Sequence, residues 1–300
     1  MNRFAEKEEE NFQKARKPAA KAGATKVVLL RRKELGNNCR FIANEFEGMN
    51  IVMPDEVPAD ATHIIRWGTT SNLPNRPAGM AKRTIFNEAA AIHSTTDKMN
   101  FRIKLDKVGL APRTWRTLAE LQKAEDVSDD GVIVRPAQHE RSEGLYLCRT
   151  LDELNKAIGK IKGEYYISEF IPKDREVRVF VVQGKAIMAF EKKPKNRKDV
   201  SWGCVEEGAL EYIRWSEWPV NAVTTAIKAF NLSDLDFGAV DVIIKGNKSY
   251  ALEINTAPEV WPYYGQCFAL AFKYMIANGK ERIKTTKWND WHDLIHPCMG

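Results

Sequence analysis

Residues 237–258 read FGAVDVIIKGNKSYALEINTAP, two apolar runs on either side of the pair Gly246-Asn247. That pair is a common turn signal, and apolar runs of this length around it predict a β-hairpin. Carboxylates at positions 241 and 253 and an amide at position 255 interrupt the apolar runs. The hairpin is therefore also the first candidate for a functional site.

The length of the turn determines which side chains share a face of the hairpin. A two-residue turn places Asp241 opposite Leu252, and the two acids then point to opposite sides of the sheet. A three-residue loop that adds Lys248 places Asp241 opposite Glu253 instead. A shift of one residue moves every side chain to the other face, so only the three-residue loop separates the acids from an apolar face. We therefore predict a three-residue loop, 246–248, with a bulge at one of its first two residues.

The predicted register gives the hairpin one polar face and one apolar face. The polar face would carry Ala239, Asp241, Ile243, Ala251, Glu253 and Asn255. The apolar face would carry Val240, Val242, Ile244, Tyr250, Leu252 and Ile254. Two carboxylates and an amide oxygen are ligands that Mg²⁺ accepts, with substrate phosphates completing its coordination. The alternative is an ordinary hairpin with a solvated face, but such faces favour Lys and Thr over Ala and Ile between the acids.

The run DVII…LEINTAP resembles the metal-binding strand pair of ATP-grasp enzymes, in particular the carboxylate–amine ligases. The resemblance implies a mixed α/β (α+β) fold in which two α+β lobes clasp ATP, preceded by a small N-terminal α/β lobe. It implies that Asp241, Glu253 and Asn255 hold Mg²⁺, with Mn²⁺ as an alternative. It covers about residues 96–280, and the chain looks most like ATP-grasp proteins of tailed phages, which are akin to the ribosomal-protein glutamate ligases.

Composition excludes several classes of protein. The chain has 300 residues, of which 44% are hydrophobic and 29% charged, as in a globular protein with two or three lobes. No apolar run approaches the roughly 18 residues of a membrane span, and the N-terminus lacks the apolar core of a secretory signal. The five cysteines are scattered without a disulfide or zinc pattern. We therefore expect a cytoplasmic protein without a membrane partner.

The formal net charge of +6 is mild for a chain of 300 residues. It suits a site for a triphosphate or an acidic substrate. A nucleic-acid-binding protein normally concentrates its basic residues in a stripe, which this sequence does not show. Nucleic acid is therefore a disfavoured partner, and the ATP-grasp resemblance implies small-molecule or peptide carboxylates and amines as substrates.

Strand and helix signals divide the chain into five segments. Residues 1–24 have almost no apolar periodicity and predict a frayed helix or a flexible tail. Strands that alternate with a helix predict a small α/β lobe at 25–95. The resemblance implies a first ATP-grasp subdomain at 96–166 and a second, metal-binding subdomain at 167–282. A C-terminal tail at 283–300 completes the chain.

Two basic residues ahead of the hairpin occupy positions where ATP-grasp enzymes bind phosphate. Lys98 opens a helix whose N-cap is Thr96 or Asp97, and Arg135 ends the predicted strand GVIVRP. The resemblance implies that both side chains contact nucleotide phosphates. Without the resemblance, Lys98 would be interpreted as an ordinary surface residue.

The loop after that strand departs from the family, because it contains only Gly144 where many relatives have several glycines. Fewer glycines leave fewer backbone amides that can wrap a phosphate. His139, Arg141 and Ser142 are the side chains that would donate hydrogen bonds to phosphate instead. An ordinary solvated loop is the alternative interpretation.

The stretch 165–182 is predicted to be a strand, a linker and a second strand, and it resembles the hinge between ATP-grasp lobes. A strand end leaves backbone groups free, and the resemblance implies that Phe170 and Ile171 bind the edge of adenine. Glu169 would lie near the adenine amino group and Glu176 toward the ribose hydroxyls. An outer strand with one charged face would give the same pattern.

The implied reaction joins a carboxylate to an amine through an acyl-phosphate at the expense of ATP. Arg178 and Lys192 would stabilise the oxyanion and the departing phosphate. The basic run at 195–198 is interpreted as a solvated loop. The cluster Trp202, Trp215 and Trp218 is interpreted as packing, with an aromatic platform for a base or sugar as the alternative.

Two other functions are compatible with the same residues. A small-molecule kinase would keep the fold and transfer phosphate to a hydroxyl group, without any requirement for an amine. A non-enzymatic nucleic-acid-binding protein would use the basic loops and the tryptophans. Its binding would weaken steeply with salt and would not depend on Asp241 or Glu253.

Overall fold

The computed structural model describes residues 25–32, 39–124, 129–138, 144–194, 196, 199–202 and 208–296. The predicted tail at 1–24 and the proposed phosphate ligands His139, Arg141 and Ser142 lie outside the described residues. Within these ranges the strands form three sheets, one parallel and two antiparallel.

The N-terminal lobe is a four-stranded parallel sheet in the order β2-β1-β3-β4. Its strands are β1 (Val27–Arg31), β2 (Met49–Val52), β3 (His63–Trp67) and β4 (Thr84–Phe86). Helix α1 (Arg40–Asn44) lies between β1 and β2 in sequence. Alternate residues of β1 enter two different apolar clusters, so both faces of this sheet are covered, as a parallel sheet requires. The predicted small α/β lobe is confirmed.

The second sheet is antiparallel and has the order β5-β8-β6-β7. Its strands are β5 (Thr114–Trp115), β6 (Val132–Pro136), β7 (Tyr146–Cys148) and β8 (Tyr165–Glu169). Helices α4 (Leu118–Gln122) and α5 (Leu151–Lys160) pack their apolar residues against this sheet. Helix α5 begins with a capping box, in which the Thr150 side chain accepts from the Glu153 N–H.

Two helices lead from the N-terminal lobe into the second sheet, α2 (Ala89–Thr96) and α3 (Lys98–Asp106). Of the two N-caps considered for α3, the structure has Asp97, whose side chain accepts from the Asn100 N–H. Lys98 is therefore the first residue of the helix, and its side chain lies at the N-terminal end of α3.

The third sheet is the largest, with five antiparallel strands in the order β11-β10-β9-β12-β13. Its strands are β9 (Arg175–Val182), β10 (Lys185–Pro194), β11 (Gly208–Tyr212), β12 (Phe237–Lys245) and β13 (Lys248–Asn255). Helix α6 (Val220–Asn231) covers one face and helix α7 (Pro262–Asn278) the other. Helices α8 (Lys280–Thr285) and α9 (Trp288–Ile295) follow α7.

Helix α7 joins the N-terminal lobe to the five-stranded sheet. Its residues Phe268 and Phe272 belong to one apolar cluster with residues of β1 and β9. Gly265 lies so close to α1 that a Cβ at this position would approach the carbonyl group of Phe41 to 2.5 Å, so only glycine fits. Among the helices that the structure describes, none combines the length and the apolar composition that crossing a bilayer requires.

The turn of the 237–258 hairpin has two residues, so the predicted three-residue loop is wrong. Lys245 pairs with Lys248, which leaves Gly246 and Asn247 as the turn. Gly246 has a φ of 54°, a left-handed conformation that glycine adopts without strain and that such turns require at their first position. The predicted bulge at Gly246 or Asn247 is therefore absent.

The extra residue lies within β13 instead. Val242 pairs with Ala251 and the next pair is Asp241 with Glu253, which leaves Leu252 as a bulge. The predicted pairing of the two acids is confirmed, because one extra residue anywhere between them produces it. The faces of residues 250–252 are exchanged relative to the prediction: Ala251 enters the apolar core and Leu252 lines a cleft.

A buried histidine at the end of α9 contacts the core of the five-stranded sheet. His296 Nε2 lies 2.7 Å from the carbonyl oxygen of Ile187 and Nδ1 lies 3.8 Å from Sγ of Cys267. Burial lowers the pKa of His296 from 6.5 to about 4. As the pH falls, the unfolded chain therefore binds a proton at this position before the folded protein does.

This difference predicts that His296 destabilises the fold in acid. Its contribution is fully present above pH 6.5 and is lost as the pH falls from 6.5 to about 4, an effect of about 3 kcal/mol. His296→Gln keeps a donor for the Ile187 carbonyl but does not titrate. Urea unfolding at pH 7 and pH 4 should show a smaller loss of unfolding free energy in the variant. Equal losses in the two proteins would contradict the prediction.

Candidate active site

A cleft is lined by residues of both antiparallel sheets and of α3. Six basic and four acidic side chains are part of its lining: Lys98, Arg102, Arg135, Lys173, Arg178, Lys192, Glu169, Glu176, Asp241 and Glu253. The excess of basic side chains indicates an anionic ligand.

Asp241 is buried on the cleft face of β12 and accepts hydrogen bonds from two cations. Arg178 lies directly opposite on β9 and donates from Nε to Oδ1 at 2.7 Å and from Nη2 to Oδ2 at 2.9 Å. Lys192 Nζ donates to Oδ2 at 2.9 Å from β10. Burial would raise the pKa of Asp241, but these two cations hold it well below its usual range. Asp241 is therefore ionised at neutral pH.

Glu176 is a second buried acid, bound by two lysines. Lys192 Nζ donates to Oε1 at 2.5 Å and Lys173 Nζ donates to Oε2 at 2.6 Å. Lys192 thus bridges Glu176 and Asp241. Burial would lower the pKa of Lys192, but the two carboxylates raise it above its ordinary value. The lysine is therefore a fixed cation at the centre of the cleft.

Glu253 lies opposite Asp241 on β13 and forms an ion pair with Lys98, in which Nζ is 3.2 Å from Oε2. Burial raises the pKa of Glu253, but the nearby cations, Lys98 foremost, bring it below the usual value. Asn255 pairs with Ala239 further along the same strands. Its buried Nδ2 has no hydrogen-bond partner among the described residues.

The face formed by Asp241, Glu253 and Asn255 has the donor chemistry that Mg²⁺ prefers, two carboxylates and an amide oxygen. No group of three or more His, Cys, Asp or Glu side chains that could hold a metal ion by itself occurs in the part of the chain that the structure describes. Mg²⁺ usually takes one or two carboxylates together with substrate phosphates. These residues therefore fit Mg²⁺ that arrives with a phosphate ligand.

The proposed phosphate ligands Lys98 and Arg135 line the same cleft as these acids. Arg135 reaches the cleft from the end of β6, and its guanidinium carbon lies 5.4 Å from the ring centroid of Tyr166. The structure thus brings together basic residues that are 37 positions apart in the sequence. The other proposed phosphate ligands lie outside the described residues.

The hinge between the antiparallel sheets follows β8. The Phe170 N–H donates to the carbonyl oxygen of Gly131 at 3.0 Å, so the carbonyl oxygen is the Phe170 backbone group that remains for the predicted contact with adenine. The Phe170 C=O and the Ile171 N–H make no hydrogen bond within the described ranges. Glu169 pairs with Arg113, with 3.3 Å between Oε2 and Nε. Two free backbone groups and one carboxylate thus lie at the hinge.

Arg102 and Lys173 also line the cleft, and neither was assigned to the site from the sequence. Arg102 follows Lys98 by four residues on α3, and this spacing places both side chains on one face of a helix. That spacing is the signal from which Arg102 could have been predicted. Lys173 lies in the linker after β8, where no periodicity indicates the direction of a side chain.

The three tryptophans do not form one cluster at the site. Trp202 is buried, lines the cleft and has Lys173 Nζ 4.9 Å from its ring centroid. Trp215 and Trp218 contact each other, with 4.5 Å between centroids, and are not part of the cleft lining. The interpretation as packing therefore holds for Trp215 and Trp218, whereas Trp202 lies where a ligand would contact it.

Comparison with known proteins places the chain in a family. A family model described as the RimK-like ATP-grasp domain matches residues 92–264, more than half of the chain. A comparison with curated proteins finds no match.

Several solved structures share the fold. A D-alanine–D-alanine ligase from Bacillus anthracis has a TM-score of 0.59 and 14% identity, over 87% of this chain and 99% of that chain. The macrocyclase MdnC from Microcystis aeruginosa, solved with its precursor peptide, has a TM-score of 0.58 and 14% identity, over 85% and 100%. A RiPP-associated ATP-grasp ligase from Chryseobacterium gregarium was solved with ADP and a leader and core peptide. It has a TM-score of 0.53 and 13% identity, over 92% of this chain and 98% of that chain.

The structural similarities, at these identities, concern the fold. They support the predicted ATP-grasp fold class, which is confirmed. The matched segment of the family model begins before Lys98 and ends after Asn255, so it includes the whole cleft. The chain belongs to the RimK-like ATP-grasp family.

Proposed function

We propose that the protein is an ATP-dependent ligase that joins a carboxylate to an amine in an amide or peptide bond. The observation that carries this proposal is the geometry at Asp241, where two ionised acids face each other beside buried cations from two neighbouring strands. Such a face suits a metal-bound polyphosphate next to groups that stabilise developing negative charge. Family membership supports the same reaction class.

ATP would lie along the cleft with its base at the hinge. The Phe170 C=O and the Ile171 N–H make no hydrogen bond with the residues that the structure describes and would bind the edge of adenine, with Glu169 near the amino group. Glu176 would accept from the ribose hydroxyls, after giving up part of its contact with a lysine. This arrangement extends the phosphates toward the acids of β12 and β13.

The phosphates would lie between basic side chains and the metal-binding face. Lys98 and Arg135 would contact phosphate oxygens, and His139 and Ser142 are proposed as further donors. Asp241, Glu253 and Asn255 would hold Mg²⁺, or Mn²⁺ with the same oxygen ligands. When bound, the ion neutralises charge on the terminal phosphates.

The reaction would proceed in two transfers. A carboxylate oxygen of the substrate attacks the γ-phosphorus, and the bond from this phosphorus to the β–γ bridging oxygen breaks. ADP departs, and the substrate is now an acyl-phosphate. The amine nitrogen then attacks the acyl carbon, phosphate departs with the electron pair of its C–O bond, and the nitrogen loses a proton. Arg178 and Lys192, held beside Asp241, would stabilise the oxyanion and the departing phosphate. No side-chain nucleophile is required.

The substrates are proposed by class. The names of the structural neighbours include D-alanine and precursor peptides, which supports an amino acid or a peptide as the carboxylate or amine here. The cleft lining has more basic than acidic side chains, which suits substrates that carry carboxylates. A reaction that consumes ATP is proposed to take place in the cytoplasm, where ATP is available.

The nucleotide site predicts direct binding of MgADP. Lys98→Met should weaken MgADP binding about 10-fold, because it removes one charged hydrogen-bond donor to phosphate. Lys156→Met, on the exposed face of α5 where Lys156 pairs only with Asp152 in the described structure, is the matched control and should bind as wild type does. Isothermal titration calorimetry measures both. A wild-type protein that does not bind MgADP at about millimolar concentrations would overturn the proposed function.

A further inference from the structure

Arg102 is a cation of the cleft that the proposed reaction does not use. The residue is 3% exposed and lines the cleft from α3. It makes no hydrogen bond and no ion pair with any residue that the structure describes. Arg178, Lys173 and Lys192, by contrast, are each bonded to an acid.

The absence of a direct partner is unusual for a buried guanidinium. Burial lowers the pKa of Arg102 to about 10, so the group remains charged at neutral pH. A buried charge without a hydrogen-bonded counter-ion is unfavourable, and a guanidinium has five N–H donors to satisfy. None of the Arg102 nitrogens is among the fully buried donors without a partner in the described structure, so the guanidinium is open to the cleft and a ligand there can satisfy its donors. An anion in the cleft would do so.

The surroundings of Arg102 indicate which part of the ligand it faces. One turn earlier on the same face of α3 is Lys98, which pairs with Glu253. The ionisable groups that interact with Arg102 include Tyr166, Arg135, Glu253 and Asp106, and of these Arg135 and Glu253 line the cleft. Lys98 and Arg135 are the residues proposed to contact phosphate. Arg102 therefore lies at the phosphate end of the cleft.

We propose that Arg102 is a phosphate-binding residue that donates to the polyphosphate of a nucleoside di- or triphosphate. The planar guanidinium presents parallel N–H groups that match two oxygens of one phosphate. This inference rests on the proposed function, because it requires a nucleotide in the cleft. It adds a third cation from the first half of the chain to Lys98 and Arg135, in a protein whose loop after β6 is poor in glycine.

The proposal predicts opposite effects on the free and the nucleotide-bound protein. Arg102→Met replaces a buried cation without a hydrogen-bonded partner by an apolar side chain of similar length. The ligand-free variant should therefore melt at a temperature equal to or above that of wild type. Its affinity for MgADP should fall about 10- to 100-fold, because one charged hydrogen-bonding group is lost. An arginine with a purely structural role would instead lower the melting temperature when replaced.

The test uses the full chain and two ligands, MgADP and adenosine. Calorimetric titration should show the 10- to 100-fold loss for MgADP in Arg102→Met and unchanged affinity for adenosine, which has no phosphate. Arg102→Lys keeps the charge without the parallel N–H groups of the guanidinium, so its affinity for MgADP should lie between those of wild type and Arg102→Met. Lys107→Met, at the exposed end of the same helix, is the matched control and should behave as wild type.

Besides a lowered melting temperature of ligand-free Arg102→Met, three results would overturn the inference. MgADP affinity within about twofold of wild type in Arg102→Met would remove Arg102 from the phosphate site while leaving the proposed function intact. An equal loss for adenosine and MgADP would show a general change of the cleft. A wild-type protein without any MgADP binding would overturn the proposed function together with this inference. If Arg102→Met does not fold, Arg102→Lys and Arg102→Gln provide the same comparison.

Discussion

Replacing Asp241 by Asn is expected to lower ADP release by on the order of 10³-fold or more. The neutral amide cannot balance the two cations that donate to this carboxylate, Arg178 and Lys192. It also removes one of the two acids proposed to hold the metal. A coupled assay of ADP release measures the loss.

The same substitution leaves two buried cations without their counter-ion. Removing one member of a buried charge pair is destabilising by about 3–5 kcal/mol, so the folded fraction must be measured by thermal unfolding and rates corrected for it. Asp152→Asn, whose carboxylate is 74% exposed on α5, is the matched control and should leave turnover unchanged. Folded Asp241→Asn protein that turns over ATP within about tenfold of wild type would contradict the assigned role.

Lys192→Met is expected to lower kcat by about 10²- to 10³-fold while changing the affinity for MgADP by less than about tenfold. Lys192 is held between Glu176 and Asp241 and is proposed to act on charge that develops during transfer. Groups of that kind contribute more to the transition state than to binding of the ground state. Steady-state kinetics combined with MgADP titration separates the two effects.

The adjacent residue on β10 provides the control for Lys192. Lys193 is 37% exposed and pairs with Glu191 and Glu211, and it is not part of the cleft lining. Lys193→Met should leave kcat unchanged. A Lys192→Met enzyme whose KM rises while kcat stays at the wild-type value would show that this lysine only binds the ground state.

The hairpin shows what alternation along a strand can and cannot predict. Requiring Asp241 and Glu253 to lie opposite each other requires an odd number of unpaired residues between them, counting the turn and any bulge together. Parity does not determine where the extra residue lies, so a bulge at Leu252 and a longer turn satisfy it equally. The pairing of the acids was therefore predictable, whereas the turn and the faces of residues 250–252 were not.

The candidate site depends on the order of the strands in the sheet, which local sequence patterns do not predict. Arg178, Lys192 and Asp241 meet because β9 lies between β10 and β12, so the middle strand pairs with one sequential and one distant neighbour. The resemblance to ATP-grasp enzymes supplied this grouping where propensity could not. Contacts at the hinge could not be predicted from the sequence either, because the hydrogen bond from the Phe170 N–H to the Gly131 carbonyl oxygen joins residues 39 positions apart.

Arg102 was missed although the signal for it was present. Lys98 was assigned to the site from its position after Asp97, and helical spacing places residue 102 on the same face. What the sequence did not show is that this face points into the cleft and carries a cation without a hydrogen-bonded partner among the described residues. Burial and hydrogen bonding are properties of the packed structure.

The central claim is that the cleft activates a carboxylate for attack by an amine, and trapping with hydroxylamine tests it most directly. Wild type and Asp241→Asn would be incubated with MgATP, hydroxylamine and a pool of amino acids and short peptides, and ADP and hydroxamate would be measured together. A ligase should form hydroxamate in an amount equal to the ADP released, and Asp241→Asn should form neither. ADP release with a phosphorylated hydroxyl product and no hydroxamate would identify a kinase, and undiminished hydroxamate in Asp241→Asn would contradict the metal-binding face.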